Sequence, residues 1–150
     1  MSPETSALWP PAPALAARDL VALVDEDARR VAALRGLLHD VGLRALGFTC
    51  SAEATRALRT SKIDIVVVQY PTARLDELVR SVLAAGIGAT SRPGLVLLAE
   101  DPARIDPANA TLADAVAARS GCAAQLLDAI ERARSVVRAL ARPRSSSLAN

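Results

Sequence analysis

DIVVVQYP, residues 64–71, is the stretch that decides the fold. Ile65, Val66, Val67 and Val68 form an unbroken β-branched run, with Ile63 just before it. Such a run without polar alternation is the pattern of a strand covered on both faces, which is the rule in parallel sheets. The spacing predicts a strand over 63–68, and Pro71 marks the turn that follows. At the strand's carboxyl end stands Gln69, a neutral carboxamide.

Outward from this strand, apolar runs of strand length alternate with segments of helical period. LVALV (20–24) is followed by Val31, Leu34, Leu38 and Val41 at three- and four-residue spacing, closed by Gly42. LRALGF (43–48) is a weaker strand, after which Ser51 is placed to cap a short helix ending near Arg59, with Leu58 inward. LDELVRSVLAAGI (75–87) predicts a helix with Leu75, Leu78, Val79 and Leu83 inward, and GLVLLA (94–99) a fourth strand. DAVAA (114–118) is a faint fifth strand, and Leu126, Leu127, Ile130, Ala133, Val137 and Leu140 mark one face of a final helix. Between these last two strands Pro102 and Pro107 require the intervening helix to be short or irregular. Strands and helices in strict alternation imply a parallel sheet with helices on both faces. Ligand sites in such sheets lie at the carboxyl ends of the strands.

The 150 residues are enough for one domain with a substantial core, and 51% hydrophobic with 23% charged residues describes a globular chain. Only 2% are aromatic, so stacking on single-stranded nucleic acid has no platform. The net charge is +2 and Lys62 is the only lysine. Cys50, Cys122 and His39 stand apart from one another, which argues for free thiols rather than a disulfide or metal site. No apolar run reaches the about 18 residues that a membrane span needs. The start of the chain lacks the order of a signal peptide, so a cytoplasmic location is expected. Residues 1–18, with four prolines and Trp9, read as a flexible tail. Residues 143–150 read as a second tail, leaving 19–142 as the domain.

At the carboxyl end of the first strand lie Asp25, Glu26 and Asp27. Clustered carboxylates in a strand-to-helix loop can hold magnesium through oxygen ligands. Asp27 reads first as the N-cap of the next helix, whereas Asp25 and Glu26 read equally as a cation site or as surface acids.

LVALVDEDARRVAALRGLLHDVGL resembles the opening of a response-regulator receiver domain, of the kind seen in chemotaxis regulators, whose first strand ends in adjacent magnesium-binding acids. DIVVVQYP resembles the family's third strand and turn, and LLDAIERARSVV its fifth helix, so the likeness covers about residues 19–141. The resemblance implies a flavodoxin-like (βα)5 sandwich with strand order 2-1-3-4-5. It puts the acid pair on Asp25 and Glu26, the phosphoacceptor aspartate on Gln69 and the hydroxyl residue ending the fourth strand on Leu98. The switch aromatic falls on Val116, the lysine on Arg119 and the proline after it on Ser120.

Most of that pocket departs from the family pattern. A carboxamide at Gln69 is no nucleophile for a phosphoryl group, and it takes one anionic ligand from the metal site. Weak magnesium binding at Asp25 and Glu26 is the most the remaining acids offer, and no resident metal or cofactor is expected. Leu98 supplies no hydroxyl. Arg119 keeps a positive charge, which could close the pocket on Asp25 or Glu26, as could a hydrogen bond from the Gln69 amide.

The expected function is a degenerate, non-catalytic receiver: a module of bacterial two-component signalling that works through protein–protein contact, independently of aspartyl phosphate. Its partner is expected on the face formed by residues 101–140, with a homodimer as a second option and neither nucleic acid nor membrane involved. One alternative is a conventional receiver phosphorylated at an atypical carboxylate, for which Asp64 lies at the wrong end of the strand. Another is a magnesium-dependent phosphatase using Asp25 and Asp27, which would lack its downstream lysine and acids. A nucleotide-binding loop is missing, since GIGAT (86–90) follows a helix instead of a strand.

Overall fold

The computed structural model describes residues 19–86 and 92–141. Both tails, Trp9 and all but the first residue of GIGAT lie outside the described residues. The chain alternates β1 (Leu20–Val24), α1 (Ala28–Asp40), β2 (Arg44–Phe48), α2 (Ser51–Thr60), β3 (Ile65–Tyr70) and α3 (Leu75–Ala84). It continues through β4 (Gly94–Ala99), a 3-10 turn (Pro102–Arg104), α4 (Pro107–Leu112), β5 (Ala115–Ala118) and α5 (Ala123–Ala141). The strands make one parallel sheet in the order β2-β1-β3-β4-β5. That is the flavodoxin-like arrangement expected from the alternation and the resemblance.

Strand alternation sorts the core into two layers. Val21, Leu23, Ile65, Val67, Val96 and Leu98 pack against Leu38 of α1 and Leu126, Ala129, Ile130 and Ala133 of α5. Ala22, Val24, Val66, Val68, Leu95 and Leu97 face the other way, onto Leu58 of α2 and Leu78, Val79 and Val82 of α3. Burial on both faces explains why the central strands read as continuous apolar runs. Small residues let the layers close: a Cβ added at Gly47 of β2 would run into Val31 of α1. Gly42 adopts φ 89° just beyond α1, a left-handed conformation that glycine takes without a Cβ clash.

Several expectations shift. β3 starts and ends two residues later than the spacing predicted, so Gln69 and Tyr70 lie inside the strand, paired with Leu98 and Ala99. Ser51 opens α2 rather than capping it: Cys50 is the N-cap residue, and the Ser51 hydroxyl donates to the Ala73 carbonyl at 3.2 Å. Val82 takes the inward position assigned to Leu83, which is 50% exposed. Leu140 is 66% exposed because α5 outruns the sheet it packs on. The short fourth helix is present, with Asp106 capping it and Pro107 in its first turn.

Candidate functional site

The carboxyl edge of the sheet brings Asp25 and Gln69 together, because Val24 pairs with Val68 and the residues that follow stand side by side. Asp25 is 6% exposed, and its amide donates to the Phe48 carbonyl at 3.1 Å. A buried carboxylate needs donors or a counter-charge, and this one has both. Its Oδ1 accepts from the Asp27 amide at 2.9 Å, and Arg30 of α1 lies over it. Arg30 Nε donates to Asp25 Oδ2 at 2.8 Å and to Gln69 Oε1 at 3.1 Å. Its NH2 donates to Asp25 Oδ1 at 3.2 Å, and its NH1 is 3.4 Å from Asp27 Oδ2. One guanidinium therefore gathers both carboxylates and the carboxamide.

Local sequence explains how Arg30 reaches them. Asp27 caps α1, accepting from the amides of Arg29 at 2.9 Å and Arg30 at 3.4 Å. This seats Arg30 in the first helical turn, directed back over the strand end. The hydrogen bond from the Arg29 amide holds the Asp27 carboxyl below its ordinary pKa against a smaller opposing effect of desolvation. The hydrogen bond to Asp25 raises the pKa of Arg30 further above its already high ordinary value, so this charge is permanent. The clue in the sequence is a pair of arginines in a helix's first turn with no acid there, against the helix dipole. Such cations need a local reason.

The other expected site residues are dispersed. Glu26 is exposed and faces a shallow depression of about 220 Å³ that it shares with Thr49, Cys50, Thr72 and Arg74. Leu98 sits directly opposite Gln69 but is 4% exposed and belongs to the core layer under α5. Arg119 does not meet Asp25 or Glu26: its NH2 lies 3.1 Å from Glu100 Oε2, and its amide donates to the Ala99 carbonyl at 2.7 Å. Two strands, β3 and β4, separate β5 from β1. At about 4.8 Å per strand spacing this leaves the Arg119 backbone roughly 14 Å away, whereas Glu100 leaves the adjacent strand. Ser120 is exposed in the turn after β5, and Val116 is half-buried on the layer under α3. The Gln69 amide does not donate to the pocket in the expected sense; its carbonyl oxygen accepts from Arg30.

A second unanticipated group is Tyr70. From the last residue of β3 its hydroxyl accepts from the Asp106 amide and from Asn109 Nδ2, each at 3.4 Å, tying the start of α4 to the strand that carries Gln69.

The residues present do not fit a magnesium ion. Both Asp25 oxygens and the Gln69 oxygen are engaged by donors, and a fixed cation stands among them. Among the described residues no group of three or more acidic, histidine or cysteine side chains is placed to hold a metal. Cys50 and Cys122 are free and exposed.

This arrangement of strands is the fold of response-regulator receiver domains. A signal receiver domain of an HD domain-containing protein from Pseudomonas fluorescens Pf-5 matches with TM-score 0.68 at 17% identity, over 84% of this chain and 93% of that one. A receiver domain from Clostridium thermocellum matches with TM-score 0.66 at 18% identity, over 81% and 98%. The response regulator TrrA from Thermotoga maritima, in complex with Mg2+-BeF, matches with TM-score 0.65 at 14% identity, over 77% and 98%. No family model and no curated protein matches the sequence.

Proposed function

We propose that this chain is a receiver-like signalling module that acts by protein–protein contact and has no phosphotransfer chemistry of its own. One observation carries the reading: the guanidinium of Arg30 lies between Asp25 and Gln69. Phosphoryl transfer to a receiver needs a carboxylate nucleophile, a divalent cation and donors aimed at the transferred oxygens. Here a carboxamide stands at the nucleophile position, a side-chain cation is already in place, and Leu98 makes the hydroxyl position part of the core. TrrA was solved in complex with Mg2+-BeF; in this chain a guanidinium is tethered to Asp25 and Gln69.

Neither alternative gains support. Asp64 lies at the amino edge, where its Oδ2 accepts from the Leu20 amide at 2.9 Å, far from any cation site at the strand ends. A phosphatase pair of Asp25 and Asp27 would need two available carboxylates, but one is covered by Arg30 and the other caps α1.

The partner is a protein of a bacterial, cytoplasmic pathway, bound on the face of residues 101–140. Leu112 and Val136 are large apolar side chains exposed there, at 46% and 39%. A groove of about 420 Å³ runs beside edge strand β5, between Pro102, Val116 and Arg132. A homodimer through the same face is the second option. No described helix is long and apolar enough to cross a membrane.

The experiment is incubation with acetyl phosphate and magnesium, followed by intact-mass measurement, alongside affinity capture from a bacterial lysate with wild type and Val136→Asp. No phosphoryl adduct is expected, and the partner captured by wild type should be lost with the variant. An adduct on any aspartate would refute the proposal.

A further inference from the structure

Lys62, the chain's one lysine, takes no part at the carboxyl edge. It stands just before β3, at the opposite edge of the sheet, beside a cavity of about 460 Å³. The cavity exists because α5 is longer than the sheet is tall. Its 19 residues extend about 28 Å at the helical rise, while the strands have four to six residues. The last third of α5 therefore passes below the amino ends of β3 and β4 and closes a space against the end of α2.

The walls divide by chemistry. Leu58, Ile63, Pro93 and Val137 supply an apolar side. Lys62, Arg92, Arg134 and Arg138 supply a cationic side, with Asp64 as the lining carboxylate. Asp64 is already engaged with the Leu20 amide. Two of the arginines are held from behind by buried acids. Arg92 forms a paired contact with Asp114, at 2.8 Å to each oxygen, and donates to the Pro93 carbonyl at 2.9 Å. Arg134 is paired with Asp19. Both guanidinium side chains are only 19% exposed. Burial first, and then the charge of Arg138 one turn away, lowers the pKa of Arg134.

The helix dipole does not account for the cluster. Cations are favoured in the last turn of a helix, which covers Arg138. Arg92 lies in no helix, and Arg134 is about two turns from the end of α5. Arg92 and Arg134 are each held at the cavity wall by a buried carboxylate, while Lys62 and Arg138 line the same space with exposed side chains; ammonium and guanidinium groups are receptors for a phosphate or carboxylate. The volume lies within the range of small-ligand cavities, whose usual construction is an apolar wall with a few converging polar groups.

We propose that this amino-edge cavity is a ligand site for a small organic anion, specifically a phosphate ester with a compact apolar body. The body lies against Leu58, Ile63 and Val137, and the phosphate oxygens face Lys62, Arg134 and Arg138. The site is separate from the Asp25–Gln69 pocket and does not depend on how that pocket is read.

The test is an amide NMR titration with 1-naphthyl phosphate, with inorganic phosphate and 1-naphthol as separate arms. The ester is expected to give saturable shifts at residues 61–64, 92 and 134–138, and none at Asp25, Arg30 or Gln69. Each arm alone should bind at least about tenfold more weakly than the ester. Lys62→Glu and Arg138→Glu alter exposed side chains, and the ligand-free amide spectrum of each checks that the fold is kept. Each should weaken the ester by about tenfold or more, the scale of one lost charge-assisted contact. The proposal is overturned by absence of saturation, by equal shifts at the carboxyl edge, by naphthol binding as tightly as the ester, or by unchanged affinity in either variant.

Discussion

Replacing Leu98 by threonine restores the hydroxyl that the receiver pattern places at the end of β4, and the structure sets its cost. Leu98 is 4% exposed and packs in the layer formed with Leu23, Val67, Ala117 and Ile130. Threonine removes the equivalent of two buried carbons, about 0.8 kcal/mol each, before any residual void. It adds a hydroxyl with apolar neighbours, for which mutational data give about 1–3 kcal/mol. The expected loss is about 3 kcal/mol, or roughly 10 °C in melting temperature for a domain of this size. Leu98→Met, which conserves volume, should lose less than about 1.5 kcal/mol. Urea denaturation of the three proteins, with unchanged m-values, reads this difference. A loss below about 1 kcal/mol for Leu98→Thr would mean that position 98 faces water or an open pocket, and the reasoning that the core has absorbed the site would fail.

Further outcomes follow from other contacts. Asp114 holds Arg92 and accepts from the Leu95 amide at 2.8 Å, so Asp114→Ala should cost about 3 kcal/mol. A double-mutant cycle with Arg92→Ala should show strong coupling, because each single change leaves a largely buried partner behind. Arg30→Ala should lower the melting temperature and give Asp25 a magnesium-dependent amide shift that wild type lacks, since the tethered cation is gone. The Asp27 carboxyl is held below its ordinary value, so its stabilising contribution is complete above the unfolded value of about 3.9 and disappears as pH falls through the lower folded value. Wild type and Asp27→Ala should therefore differ in denaturation midpoint at neutral pH and converge in strong acid.

The sheet is legible because the central strands are buried on both faces and so run apolar through most of their length. The end of β3 is harder to read for a physical reason: the strand continues through Gln69 and Tyr70, whose polar atoms are satisfied by Arg30 and by the start of α4. An apolar-run reading stops where the hydrophobes stop. Helix faces were legible where a helix lies on the sheet and failed at Leu83 and Leu140, toward helix ends beyond that support. In the candidate site, Asp25 and Gln69 could be placed together because parallel register is set by the strands. Arg30 could not, since its side chain crosses from the helix above and only its position against the dipole hints at a partner. Arg119 pairs with Glu100 instead of Asp25 or Glu26, because a positive charge at the end of β5 says nothing of how far its side chain reaches across the sheet.

The most direct measurement is an amide NMR titration of the wild-type chain with magnesium and beryllofluoride, a mimic of the aspartyl phosphate. With Arg30 seated between Asp25 and Gln69, the resonances of Asp25, Arg30, Gln69 and the α4–β5–α5 segment are expected to stay where they are throughout. A saturable, magnesium-dependent shift of those resonances would contradict a phosphorylation-independent module.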